Sequence, residues 1–249
     1  MIDLATHRIA RLFVLDFGLF NVGNGARIIG IQGYLLQTFQ GANLLIDTGF
    51  PPDYATDPAA AAARDGLASF GSLIDFTPAR TAEGQLALLG LTTADISAVI
   101  LTHSHIDHVG SLPLFRCPVL ITRQDRAEPR PRYFGATCPF PWPDLPYQLI
   151  DTDTRLGPDL TLIPTPGHTA GHMSAMVRLP QTGTVILAAD ALNRASEPAE
   201  GFQGTWSPQQ AARSADRLFA LQAEHDALLI FGHDPAQWPR LKKAPHSYD

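Results

Sequence analysis

Cysteine is nearly absent from this 249-residue chain: Cys117 and Cys138 are the only two, and they do not form a Cys-x-x-Cys pair. That excludes a disulfide framework, a thiolate metal site and a dithiol redox centre. Positive charge is also scarce. Lys and Arg number 18 against 24 Asp and Glu, the formal net charge is -6, and the longest basic run is the pair Lys242-Lys243. Such a chain has no electrostatic footprint for nucleic acid or for anionic lipid. No segment stays apolar long enough to span a bilayer. Met1 to Asp16, which carries His7, Arg8 and Arg11, lacks the continuous apolar stretch and small-residue cleavage site of a signal peptide, so a cytoplasmic protein is expected. Internal repeats and low-complexity tracts are missing too, which removes solenoids and linkers from consideration.

What is present is enough apolar material for a core, 45% hydrophobic against 17% charged, and one domain over residues 1–249 is expected. Ile9 to Leu15, Ile28 to Thr38 and Leu44 to Ile46 read as strands separated by turns at Gly23 to Gly25 and at Gly41. Pro51 to Pro78 reads as a long excursion with a short helix at Ala59 to Ala68. Glu83 to Leu89 reads as a helix stopped by Gly90. Strands are expected at Ala98 to Leu101, Val119 to Thr122, Leu160 to Ile163, Met173 to Leu179, Val185 to Ala189 and Ala227 to Phe231, with a hairpin turn at Gln181 to Gly183. Arg130 to Pro146 reads as an irregular aromatic loop. The last long helix is capped by Ser207, has Pro208 in its first turn, and repeats apolar residues at Ala211, Ala215, Leu218 and Phe219.

The chemistry concentrates in His103-Ser104-His105-Ile106-Asp107-His108. On an extended segment side chains repeat every two residues, so His103 and His105 point to one side and can reach one ion. Asp107 and His108 lie where the chain turns toward Gly110 and can reach a second. Holding four such groups at an apolar strand end is costly without metal, and a set of imidazoles and carboxylates fits zinc. His168, Asp190 and His233 each follow a predicted strand, so strand ends converging on one edge would complete the site. An isolated histidine is more often a hydrogen-bonded or surface residue. His7, His172, His225 and His246 are left out of the ligand set on that ground; His225 sits at a helix C-terminus, where a cation is favoured.

From about Phe13 onward these segments resemble the metallo-β-lactamase superfamily, and within it the N-acyl-homoserine-lactone lactonases and γ-butyrolactone hydrolases. The resemblance is carried by Leu45-Ile46-Asp47-Thr48-Gly49, by Thr102 to Gly110, by Thr165-Pro166-Gly167-His168-Thr169-Ala170-Gly171-His172, by the strand ending in Asp190, and by Gly232-His233-Asp234. The closing stretch Gly232 to Pro245 is similar to the lactonase branch. The resemblance implies an α/β fold, an αββα sandwich with the site along one edge of its sheets. It also implies two zinc ions: one on His103, His105 and His168, the other on Asp107, His108 and His233, with Asp190 bridging. Cobalt, manganese or iron would suit the same donors. Homodimers are common in this family. One departure stands out: many members carry a tyrosine three residues after the bridging aspartate, and here that position is Asn193, an amide of shorter reach.

The activity so implied is hydrolysis of a lactone ring by a hydroxide bridging the two ions, with Asp107 shuttling the proton to the departing ring oxygen and Asn193 contacting substrate. Ile106, Phe20 and Phe70 are the expected apolar contacts, with Phe76, Phe134 and Trp142 as further wall residues and Gly204 passing close to substrate. A phosphotriester or thioester is the alternative substrate. A redox di-iron centre is disfavoured by His105, where such relatives place a carboxylate, and a non-catalytic metal protein by the intact ligand set.

Overall fold

The computed structural model describes residues 4–23, 25–134 and 137–249. Asn24, inside the expected Gly23 to Gly25 turn, and Gly135 and Ala136, inside the expected aromatic loop, lie outside the described residues, as do Met1 to Asp3. A seven-stranded sheet contains β1 (Ile9–Val22), β2 (Arg27–Thr38), β3 (Asn43–Ile46), β4 (Gly71–Asp75), β5 (Ala98–Ile100), β6 (Val119–Thr122) and β7 (Tyr147–Ile150), in the order β4-β1-β2-β3-β5-β6-β7. A five-stranded sheet contains β8 (Thr154–Gly157), β9 (Leu160–Pro164), β10 (Met173–Leu179), β11 (Gly183–Ala189) and β12 (Leu228–Phe231), in the order β12-β11-β10-β9-β8. The helices are α1 (Pro58–Asp65), α2 (Ala82–Leu88), α3 (Ile106–Val109), α4 (Arg123–Arg126), α5 (Glu197–Glu200) and α6 (Pro208–His225). Among the described residues, no helix is long and apolar enough to cross a membrane.

Alternation along β1 explains the layering. Leu12 and Val14 face the second sheet and pack with Leu36, Ile100, Leu162, Val177 and Leu187. Phe13, Leu15 and Phe17 face the other way, toward Ala61 of α1, Leu86 of α2 and Val109 of α3. On the far side of the second sheet, Ala211, Ala215 and Leu218 of α6 pack on Ile186, Ala188 and Leu229. The two sheets are thus each covered by helices on their outer faces, the αββα arrangement. Ser207 caps α6, its hydroxyl accepting from the Gln210 amide.

Several elements differ from the sequence reading. β1 does not stop at Leu15 but runs to Val22, because an irregularity between Asp16 and Leu19 lets the strand bend and then pair with both β2 and β4. Gly18 makes the bend: it has φ 90°, and a Cβ there would lie 2.0 Å from the Asp75 carbonyl oxygen. α1 ends before Ala68, since Gly66 takes the left-handed conformation at its C-cap. β4 lies inside the expected excursion, and β7 and β8 were not expected at all. Asp107 and His108 sit on a short helical turn, with the His108 and Val109 amides both donating to the His105 carbonyl at 3.0 Å.

Sheet direction places the site. β9 and β11 both run antiparallel to β10, and β12 runs parallel to β11, so the carboxyl ends of all three open at one edge. His168 follows β9, Asp190 follows β11 and His233 follows β12, while β5 of the other sheet leads into His103.

Candidate metal centre

The seven expected ligands meet at this edge in two groups. Ligand atoms of His103, His105, His168 and Asp190 lie within 4.8 Å of one another, and so do those of Asp107, His108 and His233. Asp190 stands between them: its Oδ2 is 3.2 Å from His168 Nε2 and 4.0 Å from His103 Nε2. Its Oδ1 is 3.4 Å from His108 Nε2 and 3.3 Å from His233 Nε2.

The outer nitrogens of His103, His108 and His233 are held by protein groups, which aims their inner ones at the centre. His108 Nδ1 is 2.8 Å from Asp47 Oδ2. His233 Nδ1 donates to the Gly30 carbonyl at 2.9 Å. Gly30 has to be a glycine, because a Cβ would fall 2.1 Å from the Trp238 ring. The Thr102 hydroxyl donates to Asp47 Oδ2 at 2.7 Å, which leaves its lone pair for His103 Nδ1 at 3.1 Å.

Burial and crowding set the charges. Burial, reinforced by neighbouring His168, pushes His105 down to about 3. Burial also drives His103 well below the usual histidine range and lowers His168. For His108, burial acts in the same direction, but Asp107, Asp47 and Asp190 outweigh it and hold the ring well above that range. Asp190 is likewise opposed by burial, yet His233, His168 and His108 hold it well below the carboxylate range. A cation is the natural occupant of such a centre. Among the described residues, His103 Nε2, His108 Nε2, Asp107 Oδ1 and Asp190 Oδ1 are buried without any hydrogen-bond partner, a cost that buried polar atoms seldom bear. These orphaned atoms are nitrogen and oxygen donors of the kind that zinc accepts.

A cavity of about 580 Å³ opens over the two groups, with Asp107, His105, His168, Asp190 and His233 in its floor. Phe20, Phe70 and Phe134 form its aromatic wall, and Gly204 lies on its rim. Ile106 does not line it. The α3 turn rotates that side chain into the core, where it is 1% exposed. Phe76 and Trp142 also pack in the core and not in the cavity wall. Asn193 lines the cavity; its Nδ2 donates one of its two hydrogens to Glu197 at 3.2 Å, and its Oδ1 is buried without a hydrogen-bond partner among the described residues.

Two functional residues escaped the sequence reading. Asp47 appeared only within a resembling segment; its position just after β3 follows the same strand-end rule as Asp190. His172, set aside as a ligand, has both ring nitrogens in use: Nδ1 is 2.9 Å from Thr165 Oγ1, and Nε2 accepts from the Asp190 amide at 3.0 Å. It therefore positions Asp190. Burial, with nearby His168, holds its pKa well below normal, which keeps the ring neutral and able to accept.

The chain belongs to the metallo-beta-lactamase superfamily, whose profile matches residues 30–233. It is 32% identical over 250 residues to N-acyl homoserine lactonase AttM of Azorhizobium caulinodans, covering 92% of this chain and 91% of that one. With N-acyl homoserine lactonase AiiA of Bacillus thuringiensis subsp. kurstaki it shares 31% identity over 218 residues, 82% of this chain and 81% of that one. In structure it is similar to an N-acyl homoserine lactone hydrolase with the product N-hexanoyl-L-homoserine at its catalytic metal center: TM-score 0.82, 23% identity, 97% and 100% of the two chains covered. It is also similar to AidC, a dizinc quorum-quenching lactonase, with TM-score 0.65 and 19% identity over 99% and 97% of the two chains. These likenesses show a shared fold.

Proposed function

We propose that this chain is a cytoplasmic lactonase that hydrolyses the ring of an N-acyl homoserine lactone or a related γ-lactone, using two divalent ions, zinc first among them. His103, His105 and His168 would hold one ion, Asp107, His108 and His233 the other, with Asp190 shared. The observation that carries this reading is the division of Asp190, one oxygen toward each group of ligands. Bound there, the pair of ions would supply hydroxide at neutral pH by acidifying a shared water, and would polarise the ester carbonyl.

The protein's own part is binding, orientation and proton transfer. Water adds across the acyl–oxygen bond, that bond breaks, and the ring oxygen leaves as a hydroxyl, giving a hydroxy acid. Asp107 Oδ1, buried and without a hydrogen-bond partner among the described residues, would take the proton from the attacking water and return it to the ring oxygen. Phe20, Phe70 and Phe134 would cover the arm of the substrate. Asn193 Oδ1, also without a partner, would accept from the amide N–H of an acyl homoserine lactone. Asn193→Ala is then expected to raise KM about fivefold for N-acyl lactones, the worth of one net hydrogen bond of ~1 kcal/mol. Its KM for γ-butyrolactone, which has no N–H, should stay within about twofold.

A phosphotriester or a thioester is the competing substrate, since the same hydroxide would attack either. The test is side-by-side turnover of a γ-lactone series, a thioester and a paraoxon-type triester by the zinc-loaded protein and by a folded His105→Ala control. Ring opening by the wild type alone supports lactonase. Turnover of the thioester or triester without lactone opening replaces it.

A further inference from the structure

The cavity contains three arginines, and one of them lacks an ion-pair partner among the described residues. Arg194 is committed to Glu200 and Glu197, and Arg132 to Glu128 at 3.2 Å. Arg27 makes no ion pair among the described residues, and its Nε is buried without a hydrogen-bond partner. Glu197 and Glu200 act on it only from a distance; burial and then the like charge of Arg194 pull its pKa down. An unpaired guanidinium on a cavity wall is a recognition group waiting for an oxygen acceptor.

Its place on the hairpin says where that acceptor lies. Phe20 pairs with Ile29 across β1 and β2, and Val22 pairs with Arg27; all four line the cavity. The adjoining Gly30 carbonyl holds His233. Moving out from the metal centre along β2, a ligand meets the apolar rung Phe20–Ile29 first. The rung bearing Arg27 comes about 7 Å later, and Arg27 stands about 10 Å from Gly30 at the strand rise per residue.

We propose that Arg27 determines specificity for the substrate's arm, selecting lactones whose arm runs apolar past the Phe20–Ile29 rung and then carries an oxygen acceptor, a carboxylate above all, one rung and about 7 Å farther along β2. This rests on the lactone reading for the ring, though not for the arm. Six-carbon arms test it: hexanoyl-, 3-oxohexanoyl- and adipoyl-homoserine lactone, assayed with the zinc-loaded wild type, Arg27→Met and Arg27→Lys. Arg27→Met should lower kcat/KM for the adipoyl lactone about tenfold or more, chiefly through KM, and for the hexanoyl lactone less than about threefold, while Arg27→Lys retains most of the adipoyl preference. Equal losses on all three arms, no loss, or a loss confined to the 3-oxo arm would overturn the proposal. Calorimetric binding of ring-opened adipoyl- and hexanoyl-homoserine to the same proteins needs no turnover. An adipoyl preference that Arg27→Met abolishes, in a protein that opens no lactone, leaves the Arg27 assignment standing and removes the lactonase. Lactone opening with no change in arm preference does the reverse.

Discussion

Asp190→Ala is expected to lower lactone turnover by about 10³-fold or more, roughly 4 kcal/mol of transition-state stabilisation, and to reduce bound metal below two ions per chain. The reason is geometric. One carboxylate faces His168 and His103 through Oδ2 and His108 and His233 through Oδ1. Its removal leaves four imidazoles converging without the anion that draws both groups to a common centre. The Asp190 main-chain amide still donates to His172 in the variant, so the strand end remains tethered and the loss should appear in metal content and rate more than in folding. Metal analysis beside kcat/KM checks this. Two tightly held ions in an inactive variant would show that Asp190 is not shared.

Asp47→Ala should damage the protein in a different way. Asp47 is 1% exposed. It accepts from the Thr102 amide at 2.8 Å and from the Thr102 hydroxyl at 2.7 Å, and it faces His108 Nδ1 at 2.8 Å. Alanine leaves those donors buried and unpaired, a loss of about 3–5 kcal/mol, which lowers Tm by roughly 10 °C in a chain of this size. The residue also has φ 62°, a conformation that alanine adopts less readily than aspartate. With His108 no longer oriented, metal affinity should fall about 10- to 100-fold. Thermal melts with and without zinc separate the two contributions. A variant that melts like the wild type and binds metal as tightly would show that Asp47 does not brace the centre.

The elements that were legible in the sequence are those whose burial is lopsided or complete. Val119 to Thr122 and Met173 to Leu179 are interior strands with dense apolar residues, and both match the structure residue for residue. The strands that were missed, β4, β7 and β8, all lie at sheet edges. Edge strands bury less and tolerate polar residues such as Gln148, Thr154 and Arg155, so their period is weak. The candidate ligands stood out because six consecutive positions hold four potential donors. What their spacing could not convey is rotation: Ile106 sits inside that motif, yet the α3 turn sends it into the core. Contacts across turns were equally hidden. The Asn193 side chain is oriented by Glu197, and nothing in the local pattern announces that pairing.

The most direct test of a paired-ion lactonase is to titrate metal-free protein with zinc while following the opening of hexanoyl-homoserine lactone. Turnover should rise until two equivalents are bound and then level off, in step with the recovery of thermal stability. A plateau at one equivalent would contradict the paired centre, and the absence of ring opening at any loading would contradict the lactonase itself.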